Sequence, residues 1–137
     1  MYYQKIGFED LRVWQLSSAL IKEVYQLSKG FPNEELYGIT SQLRRSIISV
    51  AANIAEGYER YHFKDKIKFY YQARGSLAES KSHILIARNL EYVTETQIDS
   101  IISEIETIHK LLNSLIRSQQ NQSSSASGRS QYPISSS

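Results

Sequence analysis

A chain of 137 residues, 41% of them hydrophobic and none of them cysteine, is one domain's worth of sequence and large enough to bury a core without covalent staples. The missing thiols exclude disulfides, thiolate zinc and iron–sulfur ligation, so a reducing cytoplasm is the expected compartment. A net charge of +2 and a pI near 8.8 are too mild to announce a nucleic-acid partner, and no leader-like segment or apolar run of about 18 residues points to export or a membrane.

The first predicted helix begins near Asp10 as N-cap and carries Val13, Trp14, Leu16, Leu20, Ile21, Val24, Tyr25 and Leu27 at spacings of three and four, ending in Ser28-Lys29-Gly30-Phe31-Pro32. The second runs roughly from Glu35 to Glu56. Leu36, Ile39, Leu43, Ile47, Val50 and Ile54 form its inward stripe, Gly38 lies in its first turn, and Gly57 is its expected C-cap. The third spans about His62 to Leu90, with Phe63, Tyr70, Leu77 and Ile84 seven apart and the small residues Ala73, Ser80 and Ala87 beside them. Small residues there let a neighbouring helix approach closely. The fourth starts after Thr94 or Thr96 and repeats Ile98, Ile101, Ile105, Ile108, Leu112 and Leu115. Short connections force antiparallel neighbours, so the expected fold is all-α, an antiparallel up-and-down four-helix bundle over residues 1–118. Residues 119–137, rich in Ser and Gln, are too polar to offset their ordering entropy and are expected to form a disordered tail.

Catalytic and metal chemistry find no footing. A di-metal bundle needs two Glu-x-x-His pairs. Glu106 and His109 make one, while Glu79 and His83 are four apart. There is no Gly-x-Ser-x-Gly elbow and no phosphate-cradling glycine loop, so no catalytic residue, metal or cofactor is expected, and the chain reads as a non-enzyme.

Two features stand out. In the second helix Ser46, Ser49, Asn53 and Glu56 draw a polar line beside the apolar one, which reads as a hydrogen-bond network fixing helix register. The charge is also polarised by segment. From Arg60 to Arg88 seven basic residues face two acidic ones, whereas from Glu91 to Glu106 there are five acidic residues and no Lys or Arg.

The run Leu43–Gly57 (LRRSIISVAANIAEG), with Phe8–Gln15 (FEDLRVWQ), Phe31-Pro32, Tyr37–Arg45 (YGITSQLRR) and Gly75–Glu79 (GSLAE), resembles the four-helix-bundle family of 23S rRNA intervening-sequence proteins over about residues 8–117. The resemblance implies a four-helix bundle. Through relatives that are accessory proteins of diversity-generating retroelements, it also implies a homopentamer, nucleic-acid binding and a reverse transcriptase as partner. Ala51 stands where many relatives carry proline, which implies a straighter second helix.

The candidate nucleic-acid-binding residues are Arg44 and Arg45 on the second helix, Arg60, Lys64 and Lys68 near the start of the third, and Arg74, Lys81 and Arg88 along it. Tyr58, Tyr61, Tyr70 and Tyr71 lie among them, and any that is exposed can stack on an unpaired base. The competing reading has the third-helix cations paired with the acidic fourth helix. Ile48, Ile67, Phe69 and Ile102 fall off the main stripes, so a homo-oligomer is expected to cover them. The leading expectation is an oligomeric binder of structured RNA or an RNA–protein complex. The rival is a protein–protein adaptor without nucleic-acid affinity, such as an accessory subunit of a reverse transcriptase.

Overall fold

The computed structural model describes residues 7–130, with side chains through residue 125. It contains α1 (Arg12–Ser28), α2 (Ile39–Tyr58), α3 (Phe63–Asn89) and α4 (Glu95–Ser130), with 3₁₀ turns at Phe8–Asp10 and Asn33–Glu35 and no strand among the described residues. α1 packs on α2 and α4, α3 packs on α2 and α4, and the backbones of the diagonal pairs stand further apart. That is a square, up-and-down four-helix bundle. No helix of the described residues is long and apolar enough to cross a membrane.

The core follows the stripes. Leu20 and Val24 of α1, Leu43, Ile47, Val50 and Ile54 of α2, Leu77 and Ile84 of α3, and Ile98, Ile105, Ile108 and Leu112 of α4 form one buried cluster. On α4 the stripe passes from Leu112 to Ile116, leaving Leu115 half-buried, because 3.6 residues per turn drift from a strict heptad.

Helix ends depart from expectation for local reasons. Asp10 does not cap α1: its carboxylate accepts the Gly7 N–H inside the 3₁₀ turn, and Leu11 takes the N-cap position. α2 starts at Ile39, because Asn33–Glu35 wind into a 3₁₀ turn and Gly38 becomes the N-cap. Leu36 is therefore outside the helix and exposed. α2 runs unbroken through Ala51 and also contains Gly57, which is not a cap. A Cβ at Gly57 would lie 2.7 Å from Tyr70 Cε1 and 3.0 Å from Phe69 Cβ, so hydrogen is the only side chain that admits the α3 rings.

α3 closes with Tyr92 N–H on Ala87 O and Glu91 N–H on Arg88 O, and Glu91 takes a positive φ of 66°. α4 opens with a reciprocal box, Thr94 N–H to Gln97 Oε1 at 2.8 Å and Gln97 N–H to Thr94 Oγ1 at 3.2 Å. It continues to Ser130, through most of the segment expected to lack structure; residues 131–137 of that segment lie outside the described residues. Helical bonds are local and satisfy the backbone without burial, while Asn121 and Gln122 stay exposed.

Candidate nucleic-acid interface

The α2–α3 seam is narrow and lined by small polar side chains. Ser46 and Ser80 share a hydrogen bond of 2.7 Å, and Ser76 Oγ donates to Ser49 Oγ at 2.9 Å. As one residue number rises the other falls, which sets the antiparallel register. Asn53 does not reach a neighbouring helix: its amide donates to Ser49 O and Ser49 Oγ on its own helix, both at 2.9 Å. Glu56 is exposed and pairs with Arg60 at 3.2 Å. The line of four is thus a two-serine bridge between helices with a local extension.

Three of the α3 cations turn toward α4. Arg74 donates to Asn113 Oδ1 at 2.8 Å and lies over the Tyr71 ring. Lys81 pairs with Glu106, and Arg88 with Glu95 at 2.7 Å. The hydrogen bond from Lys81, then its charge, holds the Glu106 carboxyl below the usual glutamate range. Between these pairs lies a groove of about 520 Å³ walled by Tyr71, Gly75, Ala78, Ile105 and His109, among others.

Arg44 belongs to the opposite seam. Its Nε donates to Ser28 Oγ at 2.8 Å, and its guanidinium lies 4.7 Å from the centroid of the Tyr25 ring, tying α2 to the end of α1. Arg45, next to it, is exposed and has no acceptor among the described residues. Arg44, Arg45, Arg74, Lys81 and Arg88 therefore do not make one surface. They divide between the α1–α2 and α3–α4 seams, on opposite sides of the square.

A separate basic cluster occupies the end where α2 passes into α3. Arg60 lies over Phe69 at 4.6 Å. Lys64 and Lys68 are exposed, one turn apart, and find no acceptor among the described residues. Lys66, between them, is withdrawn: its ammonium donates to Tyr58 O at 2.7 Å and Gly57 O at 3.4 Å, capping α2, and partial burial lowers its pKa. Tyr61 stands beside the cluster with 88% of its surface exposed. Gln120 of α4 donates to the Tyr71 hydroxyl at 2.9 Å, so Arg117, exposed and on the same side of α4 as Asn113 and Gln120, adds a cation near this end. Glu56, paired with Arg60, and Glu59 and Asp65 are the neighbouring exposed acids. Arg117 was hidden in the sequence by the polar composition that follows it.

Ile48 is exposed, Ile67 and Phe69 are half-buried, and Ile102 packs against the core. No group of three or more His, Cys, Asp or Glu among the described residues is placed to hold a metal.

Against known proteins, the family model described as 23S rRNA-intervening sequence protein matches residues 9–114. A crystal structure of a protein of unknown function from the S23 ribosomal protein family of Bacteroides thetaiotaomicron superposes with a TM-score of 0.71 at 28% identity, covering 76% of this chain and 97% of that one. No functionally curated protein matches.

Proposed function

The chain belongs to the 23S rRNA-intervening sequence protein family, and on that premise we propose that it is a non-catalytic, self-associating bundle that binds nucleic acid, structured RNA first, through the α2–α3 end. The observation that carries the reading is the contrast among the cations. Arg74, Lys81 and Arg88 are engaged by α4, while Lys64 and Lys68 stay exposed and unengaged among the described residues, beside an aromatic ring, Tyr61, that is almost fully open. Cations free of internal partners release counterions when they meet phosphates, and an open ring can stack on an unpaired base. The ribosomal wording of both the family and its structural neighbour supports RNA as the class of partner.

Self-association strengthens the case, because a mild monomer charge becomes a strong field when a ring repeats it. Its support is the apolar surface left on one chain, Ile48, Ile86 and Leu90 among it. The same surface supports the second reading, a protein–protein adaptor of the kind that would serve a reverse transcriptase.

Light scattering of the purified chain, alone and with a mixed RNA pool at low and high salt, separates these. A multimer that gains RNA at low salt and loses it at high salt is the expected result. A multimer indifferent to RNA at both salts rejects the nucleic-acid reading and leaves the adaptor, and a monomer rejects the self-association.

A further inference from the structure

The start of α2 is built differently from the start of α4. Gly38 supplies no capping side chain. Glu35 reaches only the Ile39 N–H, at a long 3.5 Å, and its other oxygen accepts the Tyr92 hydroxyl at 2.7 Å. The N–H groups of Thr40 and Ser41 find no acceptor among the described residues. Donors in this position, at the positive end of the helix, suit an anion.

Two further observations point into the same place. Thr40 is buried to 4% exposure, and its Oγ1 has no hydrogen-bond partner, although buried hydroxyls are nearly always paired. Thr40 also lines a groove of about 410 Å³, in which Ser41, Arg44 and Arg45 stand beside the apolar surfaces of Leu36, Ile48, Tyr25 and Tyr37. A helical threonine has two accessible χ1 wells, so a single rotation re-aims the hydroxyl. Arg45 is unengaged, and Arg44 has donors to spare beyond its bonds to Ser28 and Tyr25.

We propose that this groove is a phosphate-binding site. The N–H groups of Thr40 and Ser41 and the Thr40 hydroxyl hold the oxygens, Arg45 supplies the charge, and Tyr37, 93% exposed, flanks the bound group with an open ring. A free phosphate or a phosphate of a nucleic-acid strand would satisfy the same donors. The site lies at the opposite end of α2 from Lys64 and Lys68, so it is tested apart from RNA binding there, although Ile48, part of the apolar surface assigned above to self-association, also lines the groove.

The test is titration of the full ¹⁵N-labelled chain with inorganic phosphate at constant ionic strength, read by amide shifts. The expected result is saturable movement of Thr40, Ser41 and Gln42. Arg45→Gln and Thr40→Val should each weaken it about ten-fold, and Lys64→Gln should leave it unchanged. Thr40→Val removes an unpaired buried hydroxyl, so its melting temperature should hold or rise, which separates lost binding from lost folding. A short single-stranded oligonucleotide moving the same amides at lower concentration than phosphate assigns the strand as the source; the reverse order assigns a free phosphate compound. Absence of saturation, or saturation insensitive to both variants, overturns the proposal.

Discussion

Toward α2, α3 presents Ala73, Ser80 and Ala87, all buried, and its serines close on those of α2; toward α4 it presents Arg74, Lys81 and Arg88, bridged by polar partners over an open groove. The first seam holds by close approach and tolerates no added volume. The second holds by long side chains that bend around a gap. Each seam carries a glycine, and the two answer opposite questions: Gly57 is small because Tyr70 needs the space, whereas a Cβ on Gly75 would meet nothing within 4 Å. A charge inventory therefore misleads unless it is sorted by seam, since the cations most regularly spaced along α3 are the ones already engaged.

The largest effect that would break the comparison is at Gly57. Gly57→Val should destabilise the fold by about 3 kcal/mol in denaturant titration, because the added methyls drive into Tyr70 and Phe69. A change under about 1 kcal/mol would mean that the α2–α3 seam is looser than its serine bridges indicate.

Next comes Tyr70, the ring packed on Gly57. Burial, with a smaller contribution from Tyr58, pushes its pKa up to about 12. A raised pKa means that the folded state holds the proton more tightly. The stabilisation is complete below the ordinary tyrosine pKa and is lost as pH rises from about 10 through 12. Tyr70→Phe should remove that loss, flattening the alkaline limb relative to wild type by about 1–2 kcal/mol after allowance for screening. Parallel limbs for the two proteins would show the hydroxyl to be solvated.

Gly75→Ala tests the other seam and should raise stability by about 0.5–1 kcal/mol, the helix propensity difference, with no clash to offset it. Destabilisation would mean that something fills the groove in solution. The smallest effect is at Lys81→Gln. At neutral pH the melting temperature should fall by no more than about 1–2 °C, as for other exposed pairs. The depressed Glu106 pKa makes this stabilisation present above the usual glutamate range and lost as pH falls through the folded value, so the two melting curves should converge in acid. A gap that persists at acid pH would assign Lys81 a role in packing instead.

The bundle was legible because apolar spacing records which face of each helix meets the core, and Leu43, Ile47, Val50 and Ile54 are buried as their spacing required. Helix ends were less so. Asp10 and Gly57 have the residue types of caps, but one is engaged by Gly7 and the other is placed by Tyr70, contacts that a linear pattern does not contain. The candidate site was legible as a set of cations and illegible as a surface. Residues 44–45 and 74–88 become neighbours or opposites only once the order of helices around the square is known. The groove at Thr40 had no sequence signal beyond the glycine before the helix, since an unpaired hydroxyl is a property of packing.

The most direct test of the central claim is the salt dependence of RNA affinity in two double variants. Lys64→Gln with Lys68→Gln removes unengaged cations, and the slope of log affinity against log salt should shrink by about 1 per residue; Lys81→Gln with Arg88→Gln removes engaged ones and should leave the slope unchanged. Loss confined to the first pair is the result the account predicts. An equal or larger loss from the second pair would contradict it and return the interface to the α3–α4 seam.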